Sequence, residues 1–298
     1  MNLGYACINT ALSANKIFTN RTMRRKTFDA NGEDYVSDLA LANIKDLKTI
    51  VQWNNEMKIK LFRLSSQIFP WSDEYNVKDL KDYDEIAKLM LEIGKIAKDA
   101  GQRLTMHPGP YNCLASPTQK VVEKTIRELN FHSEQFNMMG YDPSPYNKIN
   151  IHVGGAYGDK KGTLDAFCHN FKLLNEDTKK RLVIENDDSP NEYSVNDLYW
   201  GIHKRIGIPI TFDYFHHKFN TGTLTEEEAL RMAATTWPEG ITQCCHYSES
   251  RRKEKLDESI RPQAHSDLIY EKIQTYGLEP DIVIEAKLKE QSIFKRII

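Results

Sequence analysis

Six short apolar runs of the sequence each end in a side chain that can bind a metal ion or transfer a proton. These end residues are His107, His152, Glu185, Asp213, His246 and Glu285, and two further histidines, His216 and His265, could join them. Imidazole nitrogens mixed with carboxylate oxygens suit Zn²⁺, Mn²⁺ or Fe²⁺. A carboxylate such as Glu185 can bridge two ions, and paired ions suit the hydrolysis of a phosphate ester.

The elements that must position these side chains are short strands alternating with helices. Apolar, β-branched segments predict eight strands at 3–9, 59–65, 103–109, 148–155, 181–187, 209–215, 241–248 and 281–287. Helical periodicity and capping residues predict helices at 36–57, 82–101, 118–139, 162–175, 194–206, 225–235 and 265–276. Strands this short and continuously apolar indicate a parallel sheet buried on both faces.

Eight such units predict an α/β fold with a single (β/α)8 TIM barrel as one domain over residues 1–298. The alternative, an open doubly wound sheet, is disfavoured because NTALSANK rather than a GxGxxG turn follows the first strand. In a barrel the carboxyl ends of all strands share one rim. The potential metal ligands should therefore converge there, beside the long loops at 9–35, 66–82 and 248–264.

The composition indicates an ordinary globular protein, with 40 Lys and Arg against 42 Asp and Glu and a net charge of −2. No apolar run reaches the length of a membrane span, and the N-terminus lacks a signal-peptide pattern. Five dispersed cysteines without a CxxC pair fit a reducing compartment. We therefore expect an intracellular protein, cytoplasmic or nuclear, that is neither secreted nor bound to a membrane.

Nine sequence motifs, spread in order over almost the whole chain, resemble those of the UV damage endonucleases. The motifs are LGYACIN, TNRTMR, LFRLSS, TMHPGPY, HVGGAYGDK, IENDD, TFDYFHHKFN, RPQAHSD and IEAKLKEQ. The resemblance implies a TIM barrel related to endonuclease IV, a manganese cluster and damaged double-stranded DNA as the partner. It implies incision of the backbone immediately 5′ to UV photoproducts, both cyclobutane dimers and 6-4 photoproducts, leaving 3′-hydroxyl and 5′-phosphate ends.

The resemblance also assigns roles to the residues at the predicted rim. Glu185 would bridge two ions, and Lys287 would lie close to the phosphate. The ligands of one ion would be His107 and His152, those of the second Asp213, His246 and Glu285, and those of a third His216 and His265. Two or three divalent ions are expected, with Mn²⁺ as the first choice and Zn²⁺, Mg²⁺ or Co²⁺ as alternatives.

The residues expected to contact the lesion or the DNA backbone come from the same comparison of motifs. Tyr5 matches a lesion-probing aromatic with Asn9 beside it, and Pro110 and Tyr111 stand where the family has a Gln-Tyr probe pair. The basic residues expected to contact DNA are Arg21, Arg63, Arg251 and Arg252. No obligate protein partner is evident, and we expect a monomer.

Three departures from the family pattern affect these expectations. Pro110 has no amide with which to hydrogen bond an orphaned base, so lesion preference should differ from relatives that have glutamine. Where many relatives have a histidine ligand after the second strand, this chain offers Asp73 or Glu74, or no ligand. Cys244 stands where some relatives have a lysine, reported as a carbamylated ligand.

Three other functions remain open at this stage. An abasic-site endonuclease of the endonuclease IV type would cut abasic rather than photoproduct duplexes. A metal-dependent sugar isomerase on the same fold would turn over a ketose and show no salt-sensitive affinity for DNA. A DNA-binding protein without catalysis would be unaffected by Glu185→Ala.

Overall fold

The computed structural model describes residues 1–297 and contains the eight expected parallel strands. They are β1 (Leu3–Ala6), β2 (Leu61–Leu64), β3 (Arg103–Met106), β4 (Ile149–Ile151), β5 (Leu182–Glu185), β6 (Ile210–Thr211), β7 (Cys244–Tyr247) and β8 (Asp281–Ile284). Their spatial order is β6-β5-β4-β3-β2-β1-β8-β7. The strands between β1 and β6 follow the chain, and β8 connects β1 to β7.

The sheet closes between β6 and β7, at residues that follow or belong to these strands. Asp213 and His246 form a parallel bridge, and the His246 N–H donates to the carbonyl of Phe212 at 2.9 Å. The predicted (β/α)8 barrel is therefore confirmed. Two potential metal ligands complete its wall.

The alternation of side chains along each strand explains why so few residues fill the barrel. Ala6, Leu61, Val183, Cys244 and Val283 form one small buried cluster, which is the interior of the barrel. The residues between them in sequence face outward and pack in the larger cluster between sheet and helices. Because the period of a strand is two, each inward position fixes the direction of every other side chain on that strand.

The helices cover the outside of the barrel. They are α1 (Thr10–Ser13), α2 (Arg25–Glu56), α3 (Tyr83–Asp99), α4 (Gln119–Met138), α5 (Lys160–Phe171), α6 (Glu176–Arg181), α7 (Val195–Leu198), α8 (Lys204–Ile206), α9 (Tyr214–His217), α10 (Glu226–Ala234), α11 (Arg251–Lys255) and α12 (Glu290–Ile297), with a π-helical segment (Tyr199–His203) joining α7 to α8. Capping boxes start α7 at Ser194 and α10 at Thr225. None of the helices within residues 1–297 is long and apolar enough to cross a membrane.

The helix predicted at 265–276 is wrong, since this segment is irregular chain. Two carboxylates take the backbone donors that a helix would use. Glu254 accepts from the N–H groups of residues 267 and 268, and Glu249 accepts from those of residues 270 and 271. These side-chain hydrogen bonds satisfy the backbone without a helix, and the apolar period of the sequence did not reveal them.

Candidate metal centre

The eight residues expected to bind metal ions lie together at the carboxyl end of the barrel. Two trios, one of His107, His152 and Glu185 and one of Glu185, Asp213 and His246, each have ligand atoms within 4.8 Å of one another. Glu185 belongs to both trios. A buried carboxylate shared by two such groups has the geometry that could hold two divalent ions.

The distances between imidazole nitrogens and carboxylate oxygens show that these atoms point toward one another at the centre of the cluster. Nε2 of His107 lies 3.2 Å from Glu185 Oε2, and Nδ1 of His246 lies 3.1 Å from Glu185 Oε1. Glu285 Oε1 lies 3.3 Å from Nδ1 of His246, and Glu285 Oε2 lies 3.7 Å from Nδ1 of His265. The structure thus brings Glu285 and His265 next to the two trios, and His216 approaches Glu185 to 3.5 Å.

Hydrogen bonds at Nδ1 orient three of the histidine rings, and an ion pair holds a fourth. The Nδ1 atoms of His107, His216 and His265 pair with backbone carbonyls at 2.8 to 3.0 Å. Nδ1 of His152 lies 2.7 Å from Asp187 Oδ1. In each case Nε2 remains as the nitrogen that could bind a cation, which is the usual arrangement of metal-binding histidines.

His246 has the opposite orientation, and its support comes from residues that the sequence reasoning missed. Nε2 of His246 is hydrogen bonded to Nζ of the fully buried Lys148 at 3.0 Å, so Nδ1 faces the cluster. Lys148 also donates to Asn150 and Thr211, and Asn150 donates to Glu185. The signal was present in KINIH, where Lys148, Asn150 and His152 alternate with isoleucines and therefore face the barrel interior.

The electrostatics of the cluster keep its central carboxylate ionised and two of its imidazoles neutral. Burial would raise the pKa of Glu185, but His246 and His152 outweigh it and hold that pKa well below the usual range. Burial lowers the pKa of His246 to about 3 and also lowers the pKa of His107. Neutral imidazoles beside an ionised carboxylate are the protonation states that bind cations.

Two histidines of the centre carry protons in the absence of a cation. Burial by itself lowers the pKa of His152, but Glu185 and Asp187 overcome this effect and raise it to about 10. Burial also opposes protonation of His216, yet Asp213 and Glu185 raise its pKa to about 9. Near neutral pH these imidazolium groups therefore neutralise the carboxylates that a divalent ion would otherwise neutralise.

Buried atoms of the cluster that lack a hydrogen-bond partner indicate that cations fit it. Asp213 Oδ2 and His246 Nδ1 have no hydrogen-bond partner within residues 1–297. A buried, unpaired carboxylate oxygen is unfavourable, and a metal ion supplies the missing positive charge. The donor set of nitrogen and carboxylate oxygen suits divalent transition metals, and it does not distinguish among them.

Binding of divalent ions is expected to release about two protons per chain at pH 7.5, because His152 and His216 must lose theirs to become ligands. Affinity for Mn²⁺ should rise with pH until the solution reaches these pKa values. Titration calorimetry in two buffers of different ionisation enthalpy measures the released protons. His169→Asn, on the exposed face of α5, is the control and should release the same number of protons. Release of no protons by the wild-type protein would contradict the assignment of His152 and His216 as metal ligands.

The structure buries Tyr5 and Asn9, two of the residues expected to contact the lesion. Ala6 faces the barrel interior, so Tyr5 faces outward into the layer between β1 and the helices, where it is fully buried. Its hydroxyl donates to Asn54 at 2.8 Å and accepts from Asn9 at 2.9 Å. Asn9 is also fully buried and caps α1. Neither side chain can reach a duplex without disrupting this layer.

Tyr5→Phe is therefore expected to lower the free energy of unfolding by about 1 to 2 kcal/mol, because it leaves Asn54 and Asn9 without their shared partner. Affinity for damaged DNA should stay unchanged. Urea unfolding and DNA binding measure the two effects. Tyr35→Phe, on the more exposed face of α2, serves as the matched control for loss of a hydroxyl. A large loss of lesion affinity in Tyr5→Phe would support the role in lesion contact that the motifs imply.

Arg63 and Lys287, expected to contact DNA and to take part in catalysis, differ in burial. Arg63 is largely buried and forms an ion pair with Glu285, so it supports the centre rather than a docking face. Burial opposes the charge on Arg63, but Glu285 raises its pKa. Lys287 is exposed, with its backbone N–H donated to Ser266. The nearby Lys289 is more buried, and burial lowers its pKa.

The remaining residues expected to bind DNA lie on the rim, and they differ in their exposure and in their ion pairs. Pro110 and Tyr111 are exposed, Tyr111 by 62%. Arg21 pairs with Asp46 at 2.6 Å, Arg252 with Glu258 at 3.0 Å, and Arg251 approaches Asp267 at 3.7 Å. These three arginines would have to exchange carboxylate partners for phosphates.

The structure also locates the residues at two departures from the family pattern. Asp73 pairs with Lys124 at 2.7 Å and Glu74 pairs with Arg25 at 2.9 Å, so neither carboxylate lies in the metal centre. The position after the second strand thus supplies no ligand through these residues. Cys244 faces the barrel interior and is fully buried, in the same space as Lys148.

The fold and the cluster together define a class of protein, (β/α)8 barrels with a cluster of potential cation ligands at the carboxyl ends of the strands. Comparison with known proteins then identifies the family. The family model described as UV-endonuclease UvdE matches residues 1–297, and the chain belongs to this family. Its relatives are named UV-damage endonucleases, which are nucleases and therefore hydrolases. The family expected from the nine motifs is thus confirmed.

Two relatives show how the similarity is distributed. The Schizosaccharomyces pombe protein named UV-damage endonuclease is 37% identical over 308 residues, which cover 98% of this chain and 49% of the relative. The chain thus spans about half the length of that relative. The Clostridium perfringens protein named UV DNA damage endonuclease is 32% identical, with 100% of this chain and 70% of the relative covered.

Solved structures show the same fold. The structure titled Crystal Structure of SacUVDE matches with a TM-score of 0.85 and 30% identity and covers 100% of this chain and 99% of its own. Endonuclease IV from Thermus thermophilus matches with a TM-score of 0.54 and 11% identity over 80% of this chain and 87% of its own. At this identity the second match shows the shared barrel alone.

Proposed function

We propose that this protein incises double-stranded DNA immediately 5′ to UV photoproducts, both cyclobutane dimers and 6-4 photoproducts, in a metal-dependent reaction that leaves 3′-hydroxyl and 5′-phosphate ends. Membership of the UV-endonuclease family supports the substrate class. The observation that carries the metal dependence is the pair of trios that share Glu185. The active unit is one barrel domain over residues 1–298, which we infer acts as an intracellular monomer.

The eight rim residues would hold two or three divalent ions, with Mn²⁺ as the first choice. Such ions activate water and neutralise charge on the phosphate when they are bound. Glu185 is placed to hold two of them, and Asn150 and Lys148 fix the directions of Glu185 and His246. Arg63 holds Glu285, and its charge adds to the positive field at the scissile phosphate. Lys287 stands at the exposed edge of this field.

The rim around the centre would hold the duplex. Tyr111 follows His107 by four residues and presents an exposed ring beside the centre. Arg21, Arg251 and Arg252 can contact phosphates, which positions the backbone without reading sequence. Photoproducts weaken base pairing, so the bases at the damage are the least costly to move out of the stack. In this proposal, loops recognise the damage and strand ends carry the residues for the chemistry.

The substrate is tested by incision of three end-labelled duplexes that differ only in one position, which carries a cyclobutane dimer, an abasic site or no damage. The proposal expects the dimer duplex to be cut fastest, at one position, with a 3′-hydroxyl that a polymerase can extend. Faster cleavage of the abasic duplex would move the assignment to an abasic-site endonuclease. Cleavage of the undamaged duplex at the same rate would exclude damage recognition.

A further inference from the structure

A lysine and an arginine lie close together on the side of the rim that supplies neither trio of potential metal ligands. The trios come from the ends of β3 to β7. Lys289 follows β8 and Arg63 lies in β2, with only β1 between these two strands. The charge of Arg63 opposes the charge of Lys289, which lies near enough to be affected by it. We call these two residues the Arg63–Lys289 pair.

The turn after β8 holds Lys289 in a fixed position. Glu290, the next residue, is fully buried and accepts from the N–H groups of Thr10 and Ala11 at 2.9 and 2.8 Å. The backbone of Lys289 is left-handed, with a φ of 51°, and its N–H donates to the carbonyl of Ala286 at 3.2 Å. A left-handed conformation is unfavourable for a lysine, and such residues concentrate at sites that bind ligands.

The Arg63–Lys289 pair carries more positive charge than its surroundings neutralise. Arg63 is paired with Glu285, which is also a potential metal ligand, and Nε of Arg63 is buried without a hydrogen-bond partner within residues 1–297. No carboxylate of the same residues is close enough to form an ion pair with Lys289, although Glu285 attracts it from further away. Burial lowers the pKa of Lys289. A half-buried ammonium beside a second cation is unfavourable unless an anion joins it.

The anion that fits this place is a phosphate of the DNA backbone. Lysine binds phosphate as a compact point charge, and a neighbouring guanidinium strengthens the positive field. Glu285 connects the pair to the metal centre, so a strand whose scissile phosphate lies at the trios also passes Lys289. The ions at the trios would take the scissile phosphate. Lys289 lies beyond Glu285 and therefore meets the next phosphate along the strand.

We propose that Lys289, in the field of Arg63, binds the phosphate adjacent to the scissile phosphate on the cut strand; the cut itself rests on the proposed function. A contact of this kind positions the backbone without reading the bases. It would hold the strand on one side of the scissile bond while the ions hold the bond itself. Lys289 is thus a substrate-binding residue.

The test is equilibrium binding of dimer duplexes in which an uncharged methylphosphonate replaces the phosphate on the 5′ or the 3′ side of the scissile phosphate. In every duplex a methylene group replaces the 3′ oxygen of the scissile linkage, which preserves the charge and prevents the cut. Fluorescence anisotropy reports binding by the metal-loaded protein. We expect one of the two methylphosphonates to weaken binding by about tenfold at about 0.1 M salt, as loss of one phosphate contact does.

Lys289→Gln should weaken binding of the duplex without a methylphosphonate and reduce the methylphosphonate effect by about threefold or more, because both changes remove the same contact. Lys58→Gln is the matched control. Lys58 is also left-handed, with a φ of 59°, but it is exposed before β2 at the opposite end of the barrel. This variant should show the full methylphosphonate effect.

The wild-type protein alone can overturn the proposal, so the test does not depend on the folding of a variant. No loss of affinity at either methylphosphonate would exclude the contact. An equal loss in the wild-type protein and in a folded Lys289→Gln protein would exclude Lys289 from it.

An undamaged duplex separates this proposal from the proposed function. The slope of log affinity against log salt should be smaller by about 0.9 in Lys289→Gln than in the wild-type protein, because one phosphate contact is lost whether or not the DNA is damaged. A protein that shows this change and the methylphosphonate effect but does not cut dimer duplexes would keep the phosphate contact and lose the proposed function.

Discussion

Glu185→Gln is expected to reduce the rate of incision at least about 1,000-fold, because it weakens both trios at once. Loss of a residue that only supports a metal ligand already costs about 10- to 100-fold in metal affinity or activity. Glutamine keeps the size of the side chain. It removes the negative charge that His107, His152 and His246 share. The content of bound metal should fall in parallel with the rate.

Single-turnover incision of a photoproduct duplex and elemental analysis of the purified protein measure the two quantities. Glu192→Gln, seven residues later in the same loop, is the matched control and should retain both rate and metal. A Glu185→Gln protein that incises within tenfold of the wild-type rate with its full metal content would show that Glu185 is not the shared ligand.

Arg103→Met is expected to lower the free energy of unfolding by about 3 to 5 kcal/mol, because it leaves the buried Asp281 carboxylate without its cation, with only the hydrogen bonds from Asn2. Arg103 is 1% exposed at the end of the barrel opposite the metal centre. Its guanidinium donates to Asp281 at 3.1 Å and to the backbone carbonyls of Thr242, Pro145 and Tyr146. It therefore joins the starts of β3, β4, β7 and β8.

Urea unfolding of the wild type, Arg103→Met and the double variant Arg103→Met/Asp281→Asn tests this explanation. The double variant should recover part of the loss, since the orphaned charge is gone although the backbone carbonyls still lack a donor. A loss below about 1 kcal/mol in Arg103→Met would mean that water replaces the guanidinium at this end of the barrel, which would reduce Arg103 to a peripheral role.

The strand ends could be predicted from the sequence because two simple regularities act together. Apolar runs of seven or eight residues predicted all eight strands, and six of the potential metal ligands end such a run. Parallel strands share one rim, so residues as distant as His107 and Glu285 converge without any information on contacts. The period of two also separates Cys244 from Cys245, and of these two residues only Cys244 lies in the interior cluster.

The direction of Tyr5 was missed because motif resemblance locates a residue but does not orient its side chain. The period of two along β1 would have shown that Tyr5 and Ala6 face opposite sides, and the small Ala6 fits the narrow interior. The polar partners of Tyr5 and Asn9 come from β1, α1 and the distant helix α2. Contacts over such separations in sequence have no local signal.

The partners of the supporting residues could not be predicted for a related reason. Lys148 reads as a surface residue at the start of a strand, and only the closed barrel places its Nζ against His246 from β7. Likewise, Arg63 reads as a basic residue that could contact DNA until β8 brings Glu285 beside it. Each partner is distant in sequence, so the pairing appears only once the strand order is known.

Incision of an end-labelled duplex with one cyclobutane pyrimidine dimer, by protein dialysed against a chelator and then supplied with Mn²⁺, tests the central claim most directly. If the two trios that have Glu185 in common hold the catalytic ions, the metal-free protein should not cut the duplex. Once Mn²⁺ is restored, the proposal predicts a single cut immediately 5′ to the dimer. Equal incision before and after the metal is restored, or cuts distributed away from the dimer, would contradict the account of a metal-dependent UV-damage endonuclease.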